Sequence, residues 1–348
     1  MFQHRTIQIV LDFDGTITAK DTIEPLVQSA IAHIHPSLSP SELSQTPQAE
    51  AWSNCKSQYL ADLSAHYEKE NQEPSDGVAV TGLRKLEREQ RSLDALKDVE
   101  WASVERVGES GVFKGVSREA FLEMGRAAAT AGDPQGGKDR AVVVREDFPE
   151  FVRWIWQHNL QWGVVSVNWS WRWVRGVLNA ALPELRSYHV MSIKANDADG
   201  TKGTIIGYPL HMLNKKRTHI LTTADKLFAQ KVTLFDFDSG FSSPPLLTVY
   251  IGDSPTDLSP LLHADIGIIM NSASSTSGAL GVLIDKCGYR VLPVSEYKKL
   301  YCKGENEKVA ILLSVNNFKE IIDSGMLQDE EWDPTAAKEA WKKAESED

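Results

Sequence analysis

Thr6-Ile7-Gln8-Ile9-Val10-Leu11-Asp12-Phe13-Asp14-Gly15-Thr16 is the stretch on which the reading of this chain turns. Its first six residues are an apolar, β-rich run that fits a buried strand. The run stops at Asp12, and Asp-Phe-Asp-Gly-Thr is a turn-forming cluster. A plain Asp-Gly turn accounts for the glycine but not for two carboxylates directly after a buried strand. Two residues apart, they lean into one small space, where like charges repel and one tends to stay protonated. A magnesium ion removes the conflict, because it takes oxygen ligands and is commonly held by one or two carboxylates plus phosphate and water. In that chemistry Asp12 attacks phosphorus and becomes an aspartyl-phosphate. Asp14 is then acid for the leaving alcohol and base for the attacking water, with Thr16 in support.

Outward from this stretch, a helix is expected to start near Asp21, with Asp21 as cap and Glu24 completing a capping box. From about Pro36 to Arg140 strand-like runs are scarce and helical patterns alternate with polar stretches. Thr130 to Arg140 reads as a mobile loop or linker. Beyond Ala141 strands alternate with helices. Strands are expected at Gln161–Val167, Val190–Lys194, Thr204–Ile206, Leu246–Ile251, Ile266–Met270 and Arg290–Val294, and a helix over Lys215–Ala229. That alternation implies an α/β fold, a doubly wound parallel sheet with right-handed crossovers. The organisation expected is a core of residues 1–20 and 145–318, a helical insertion over 21–144, and an acidic helix and polar tail over 319–348.

Ligands of open α/β sheets bind beyond the carboxyl ends of strands. Three further clusters sit at such ends or begin the next helix. Val164-Val165-Ser166-Val167-Asn168 offers a hydroxyl and an amide for a phosphate oxygen, although a strand-end serine also serves as an ordinary cap. Asn214-Lys215-Lys216-Arg217 offers a lysine to offset phosphoryl charge, and spacing does not choose between Lys215 and Lys216. Gly252-Asp253-Ser254-Pro255-Thr256-Asp257 offers Asp253 as a further metal ligand, and Gly252 lets the backbone approach closely. Asp257 reads as the third helical position of a capping box begun by Ser254, and as a group to hold the lysine or a metal-bound water. Phe235-Asp236-Phe237-Asp238 echoes the first cluster. It lies too close to Asp253 for a parallel crossover, so a loop or short strand is expected there.

The chain has 348 residues, 42% hydrophobic and 24% charged, with a formal net charge of −11. That composition is ordinary for a globular protein with a substantial core. The acidic excess argues against nucleic acid as partner. No apolar run reaches the roughly 18 residues of a membrane span. Cys55, Cys287 and Cys302 stand far apart, which suggests neither a disulfide framework nor a zinc site, and the cytosol is the default location. Six of the ten tryptophans fall between Trp154 and Trp173, a cluster suited to core packing or to stacking a ring-bearing substrate.

Taken in order, the four clusters resemble the motifs of the haloacid dehalogenase-like hydrolase superfamily. The Asp12–Thr16 stretch is similar to the first motif, Ser166 to the second, the lysine to the third and Gly252–Asp257 to the fourth. The closer likeness, through DFDGTIT, SVNWS and IKAND, is to phosphoserine-phosphatase-like members, including fungal phosphatases of the superfamily. The resemblance implies a Rossmann-like core with a helical cap inserted between the first and second motifs. It implies a magnesium ion held by Asp12, the main-chain carbonyl of Asp14 and Asp253. It favours Lys215 as the third-motif lysine, with Lys216 in reserve. The activity implied is hydrolysis of a small phosphorylated metabolite; the rivals are a phosphomutase and a non-catalytic binding or regulatory protein of the same fold.

Overall fold

The computed structural model describes residues 6–72, 82–130, 141–184, 192–209, 217–238, 246–271, 278–304 and 308–347. Its strands, numbered along the chain, begin with β1 (Thr6–Leu11), β2 (Gln161–Val165) and β3 (Ser192–Lys194). Two short antiparallel pairs follow, β4 (Asp197–Asp199) with β5 (Thr204–Ile206) and β6 (Tyr208–Pro209) with β7 (Arg217–Thr218). The last four are β8 (Leu246–Gly252), β9 (Ile266–Met270), β10 (Arg290–Pro293) and β11 (Ala310–Val315). Seven strands form one sheet, parallel throughout, in the order β10-β11-β9-β8-β1-β2-β3. The fold is therefore the α/β, doubly wound parallel sheet expected from the alternation. Ile9, Val10 and Leu11 are wholly buried, which explains the unbroken apolar run of β1. Because β1 lies between β8 and β2, the three strands end side by side, with Leu11 opposite both Ile251 and Val164.

Between β1 and the core helix α7 (Phe148–Gln157) the described residues form six helices: α1 (Ile23–Ile34), α2 (Pro40–Leu43), α3 (Pro47–Gln72), α4 (Gly82–Ala95), α5 (Lys97–Ser110) and α6 (Arg118–Thr130). The outgoing and returning chains pair where they cross, Thr18 against Val144. This helical layer is bound tightly to the core. The helix α8 (Trp171–Ala181) crosses α6 with Gly176 against Leu122 and Gly125 against Trp173. A Cβ on Gly125 would lie 2.3 Å from the Trp173 carbonyl oxygen, so only glycine admits this approach.

Several local expectations change. The first helix begins at Ile23, without the expected capping box. Asp21 accepts the Ile23 amide, while Glu24 accepts from Trp52 Nε1 and Lys56 Nζ instead. The helix expected over Lys215–Ala229 is α9 (Thr223–Asp238), and Arg217 belongs to β7. The Phe235–Asp238 echo is the end of α9, neither loop nor strand. Strand β11 was not anticipated; its apolar run AILLSV fits a buried strand, and it sits between β9 and β10. The chain continues through α10 (Leu258–His263), α11 (Ala279–Lys286), α12 (Phe318–Asp323) and α13 (Pro334–Glu347). So the C-terminal segment holds two helices, and among the described residues it ends in helix rather than polar tail. Trp341 of α13 is buried against Tyr289 and Tyr301, and Lys338 donates to the carbonyls of Leu262, His263 and Ala264 at the end of α10. Those carbonyls lack helical partners, which is why a buried lysine is accommodated there. No described helix is long and apolar enough to cross a membrane.

Candidate active site

Asp12 leaves β1 with its amide bonded to the Ile251 carbonyl at 2.8 Å, so the sheet ladder itself fixes its position. Gly15 has φ +78°, and a Cβ there would lie 2.2 Å from Asp253 Oδ2. The glycine is thus required both by the turn and by the approach of Asp253 at the end of β8. Thr16 Oγ1 donates to Asp253 Oδ1 at 3.0 Å, tying the first cluster to the fourth.

Lys226, in the first turn of α9, enters between these strand ends. Its Nζ lies 2.9 Å from Asp12 Oδ1 and 2.7 Å from Asp257 Oδ1, and all three side chains are buried. Asp257 is fully engaged. Its Oδ1 also accepts from Tyr250 OH, and its Oδ2 accepts from Ser254 Oγ and the amides of Ser254 and Asp253. Ser254, Pro255 and Asp257 form the expected capping box, in a short 3-10 turn that leads into α10. Asp257 thus caps this turn and pairs with Lys226.

The carboxyl of Asp14 points away from that cluster. Its Oδ1 accepts from the Thr22 amide and hydroxyl at 2.9 and 2.6 Å, and its Oδ2 from Asn168 Nδ2 at 2.9 Å. Thr22 precedes α1, but its hydroxyl serves Asp14 rather than capping that helix. Asn168 is placed by its own Oδ1, which accepts the Ser170 amide, and by its amide, which donates to Ser166 Oγ. Thus Ser166 and Asn168, both buried, shape one loop, and the Asn168 side-chain amide is committed to Asp14 and Thr22.

Burial and the neighbouring Asp257 raise the Asp12 carboxyl well above the usual range, against the pull of Lys226. The same two causes push Asp253 up to about 7. Burial, then Asp21, lifts Asp14 to about 6, with the Thr22 and Asn168 hydrogen bonds opposing. Burial opposes charge on Lys226, but Asp12 and Asp257 outweigh it and hold the ammonium protonated. Like-charge crowding of this kind calls for a further cation. Carboxylate oxygens of Asp12, Asp253 and Asp257 lie within 4.8 Å of one another. Asp12 Oδ1 meets Lys226 as an ion pair without hydrogen-bond geometry and is otherwise a buried, unbonded oxygen. Three hard carboxylate groups crowded against a single ammonium fit a magnesium ion. With Asp257 engaged by Lys226, Tyr250 and Ser254, Asp12 and Asp253 are the side chains free to hold it.

The parallel sheet, the helical layer between β1 and β2, and acidic clusters at the ends of β1 and β8 answer what the sequence motifs imply. The arrangement agrees with the α/β core and inserted helices that the motif resemblance implies. No family model matches the chain. The bifunctional TH2 protein, mitochondrial, of Arabidopsis thaliana is 27% identical over 286 residues, 77% of this chain and 40% of that protein. This chain therefore spans well under half of the plant protein's length. The CTO1 family protein C17G9.12c of Schizosaccharomyces pombe is 24% identical over 267 residues, 76% of this chain and 81% of that protein. Among solved structures, a substrate-bound phosphoserine phosphatase complex is 13% identical with a TM-score of 0.42, covering 92% of this chain and 99% of that one. Cytosolic 5'-nucleotidase IIIB bound to cytidine is 15% identical with a TM-score of 0.35, covering 77% and 75%.

Lys215 and Lys216 lie outside the described residues, and the lysine buried at this site is Lys226. Sequence reasoning passed over it because the basic run Asn214–Arg217 drew attention and a helix expected to start at Lys215 put Lys226 in its interior. Arg145 was passed over as well. Its guanidinium donates to the carbonyls of Gly15, Thr16, Asn271 and Asn316, clamping the first-motif loop to the ends of β9 and β11. The tryptophan cluster divides. Trp162 and Trp173 are core, and Trp169 stands edge-on to Trp52 at 5.8 Å between ring centres. Those two rings line a cavity of about 290 Å³ with Asp21, Tyr59, Glu100 and Val167. Phe113 is buried behind Trp169, against Phe121.

Proposed function

We propose that this protein is a magnesium-dependent phosphomonoesterase that works through an aspartyl-phosphate. The observation that carries the reading is the division of labour between two aspartates on one loop. Asp12 is paired with Lys226 at 2.9 Å, while Asp14 is held apart by Thr22 and Asn168 with its carboxyl raised to about 6. Asp12 is the nucleophile: its oxygen bonds to phosphorus as the ester P–O bond breaks. Protonated Asp14 gives its proton to the departing alcohol oxygen. Asp14, now ionised, takes a proton from water, whose oxygen attacks phosphorus and expels the Asp12 carboxylate. Thr22 and Asn168 hold the Asp14 carboxyl and moderate the rise in its pKa, so both proton states are accessible. Lys226 favours the ionised form of Asp12 that attacks and offsets charge on the phosphoryl group, and Ser166 is the residue assigned to hold a phosphoryl oxygen. Magnesium, held by Asp12, Asp253 and the Asp14 carbonyl, supplies charge neutralisation of the transferring phosphoryl oxygens. Helices α1 to α6 act as the cap that limits water and selects the leaving group.

Purified protein should release phosphate from p-nitrophenyl phosphate with magnesium and stop when EDTA is added. Asp12→Asn should abolish release while leaving the circular dichroism spectrum unchanged. Silence across a broad ester panel favours a binding protein, and isomerised sugar phosphates without free phosphate favour a mutase.

A further inference from the structure

The cavity between Trp52 and Trp169 has no part in the phosphoryl chemistry above, yet it adjoins that chemistry on three sides. Val167 and Trp169 flank Asn168, which bonds Asp14. Asp21 precedes Thr22, which bonds the same carboxyl. Thr256 lies in the Asp253–Asp257 loop, its hydroxyl bonded to Ser254. A group leaving from phosphorus at Asp12 would therefore be received here.

The walls specify what it can receive. Trp52 and Trp169 present their rings at 89° to each other, so a flat ring can stack on one face and meet the edge of the other. Ile23, Ile220 and Leu221 complete an apolar slot. The charges around it are two carboxylates and one lysine. Glu100 is held by the Tyr59 hydroxyl at 2.8 Å, and Asp21 by the Ile23 amide. Lys56 is the one lysine or arginine among the described lining residues, and it is paired with Glu24 at 2.9 Å. Burial raises the Glu100 carboxyl. A leaving group with its own carboxylate or second phosphate would meet two carboxylates here, and the one lysine is already shared between Glu24 and the Trp52 ring, 5.3 Å from its centre.

We infer that this cavity is the leaving-group subsite, and that it selects phosphomonoesters whose alcohol carries a planar ring, uncharged or positively charged, over aliphatic or anionic ones. The inference rests on the phosphomonoesterase reading and adds the substrate class to it. Cation–π attraction to the tryptophans and the two carboxylates favour a positive ring over a neutral one.

An isosteric ester series tests it with the unmodified protein and magnesium: benzyl phosphate, its N-methylpyridinium-methyl analogue, 4-carboxybenzyl phosphate and phosphoserine. Expected is a kcat/KM about tenfold or more higher for the first two than for the last two, with the pyridinium ester best. Trp169→Leu should lower the benzyl-to-phosphoserine ratio by about tenfold. Glu100→Gln, which keeps an acceptor for Tyr59, should narrow the gap between the pyridinium and carboxybenzyl esters. Equal rates, or phosphoserine preferred, overturn the inference and leave the phosphatase reading standing. No hydrolysis of any ester, p-nitrophenyl phosphate included, overturns both.

Discussion

Replacing Lys226 by methionine separates its charge from its bulk. The side chains are of similar length, so the packing loss is small and the change is chiefly electrostatic. In the native protein one ammonium lies 2.9 Å from Asp12 and 2.7 Å from Asp257, with all three groups buried. Removing one partner of a buried ion pair typically costs about 3–5 kcal/mol. Asp257 keeps its bonds from Tyr250 and Ser254, so the burden falls mainly on Asp12, and the lower end, about 3 kcal/mol, is expected. The pH dependence has a definite sign. Burial and Asp257 already raise the folded-state pKa of Asp12 above its unfolded value, and losing Lys226 raises it further. A carboxyl raised on folding weakens stability above its unfolded pKa, and the weakening is relieved as pH falls and the group protonates. The deficit of Lys226→Met should therefore be large near about pH 8 and shrink toward about pH 5. Urea unfolding followed by tryptophan fluorescence, in EDTA, measures it. In a double-mutant cycle with Asp257→Asn the coupling should be about 0.5–3 kcal/mol. An unchanged midpoint at both pH values, or strictly additive effects, would refute charge compensation as the role of Lys226.

Two further perturbations follow from the same structure. Arg145→Met removes donors from four carbonyls around the first-motif loop and should cost about 2–4 kcal/mol in urea unfolding. As a positioning residue it should also lower kcat more than it raises KM, and Arg145→Lys should restore only part of either. Gly125→Ala drives a methyl to 2.3 Å from the Trp173 carbonyl oxygen, so α6 and α8 must separate, at about 1–3 kcal/mol; thermal melting reads this, and an unchanged melting temperature would show that the crossing is not close.

Much of the fold was legible because it is written in short-range pattern. The buried run of β1, its Asp-Gly ending, and the Ser254-Pro255-Asp257 cap each involve hydrogen bonds or periodicities within a few residues. The parallel sheet followed from the alternation of such units. Where a pattern had two local solutions, the longer-range contacts chose. Glu24 is placed for a capping box three residues after Asp21, yet Trp52 and Lys56 of α3 take its carboxylate.

The site divided along the same line. Asp12, Asp14, Asp253 and Asp257 could be named from sequence because each ends or follows a readable strand. Lys226 and Arg145 could not. The partners that give them meaning lie in other elements: Asp12 and Asp257 for the lysine, and carbonyls on residues 15, 16, 271 and 316 for the arginine. Nor could sequence show that Trp169, alone of its cluster, meets Trp52 across a cavity. Local hydrogen bonding and side-chain period determine which elements form. Burial, charge compensation and cavity shape depend on which elements end side by side, and only the folded chain decides that.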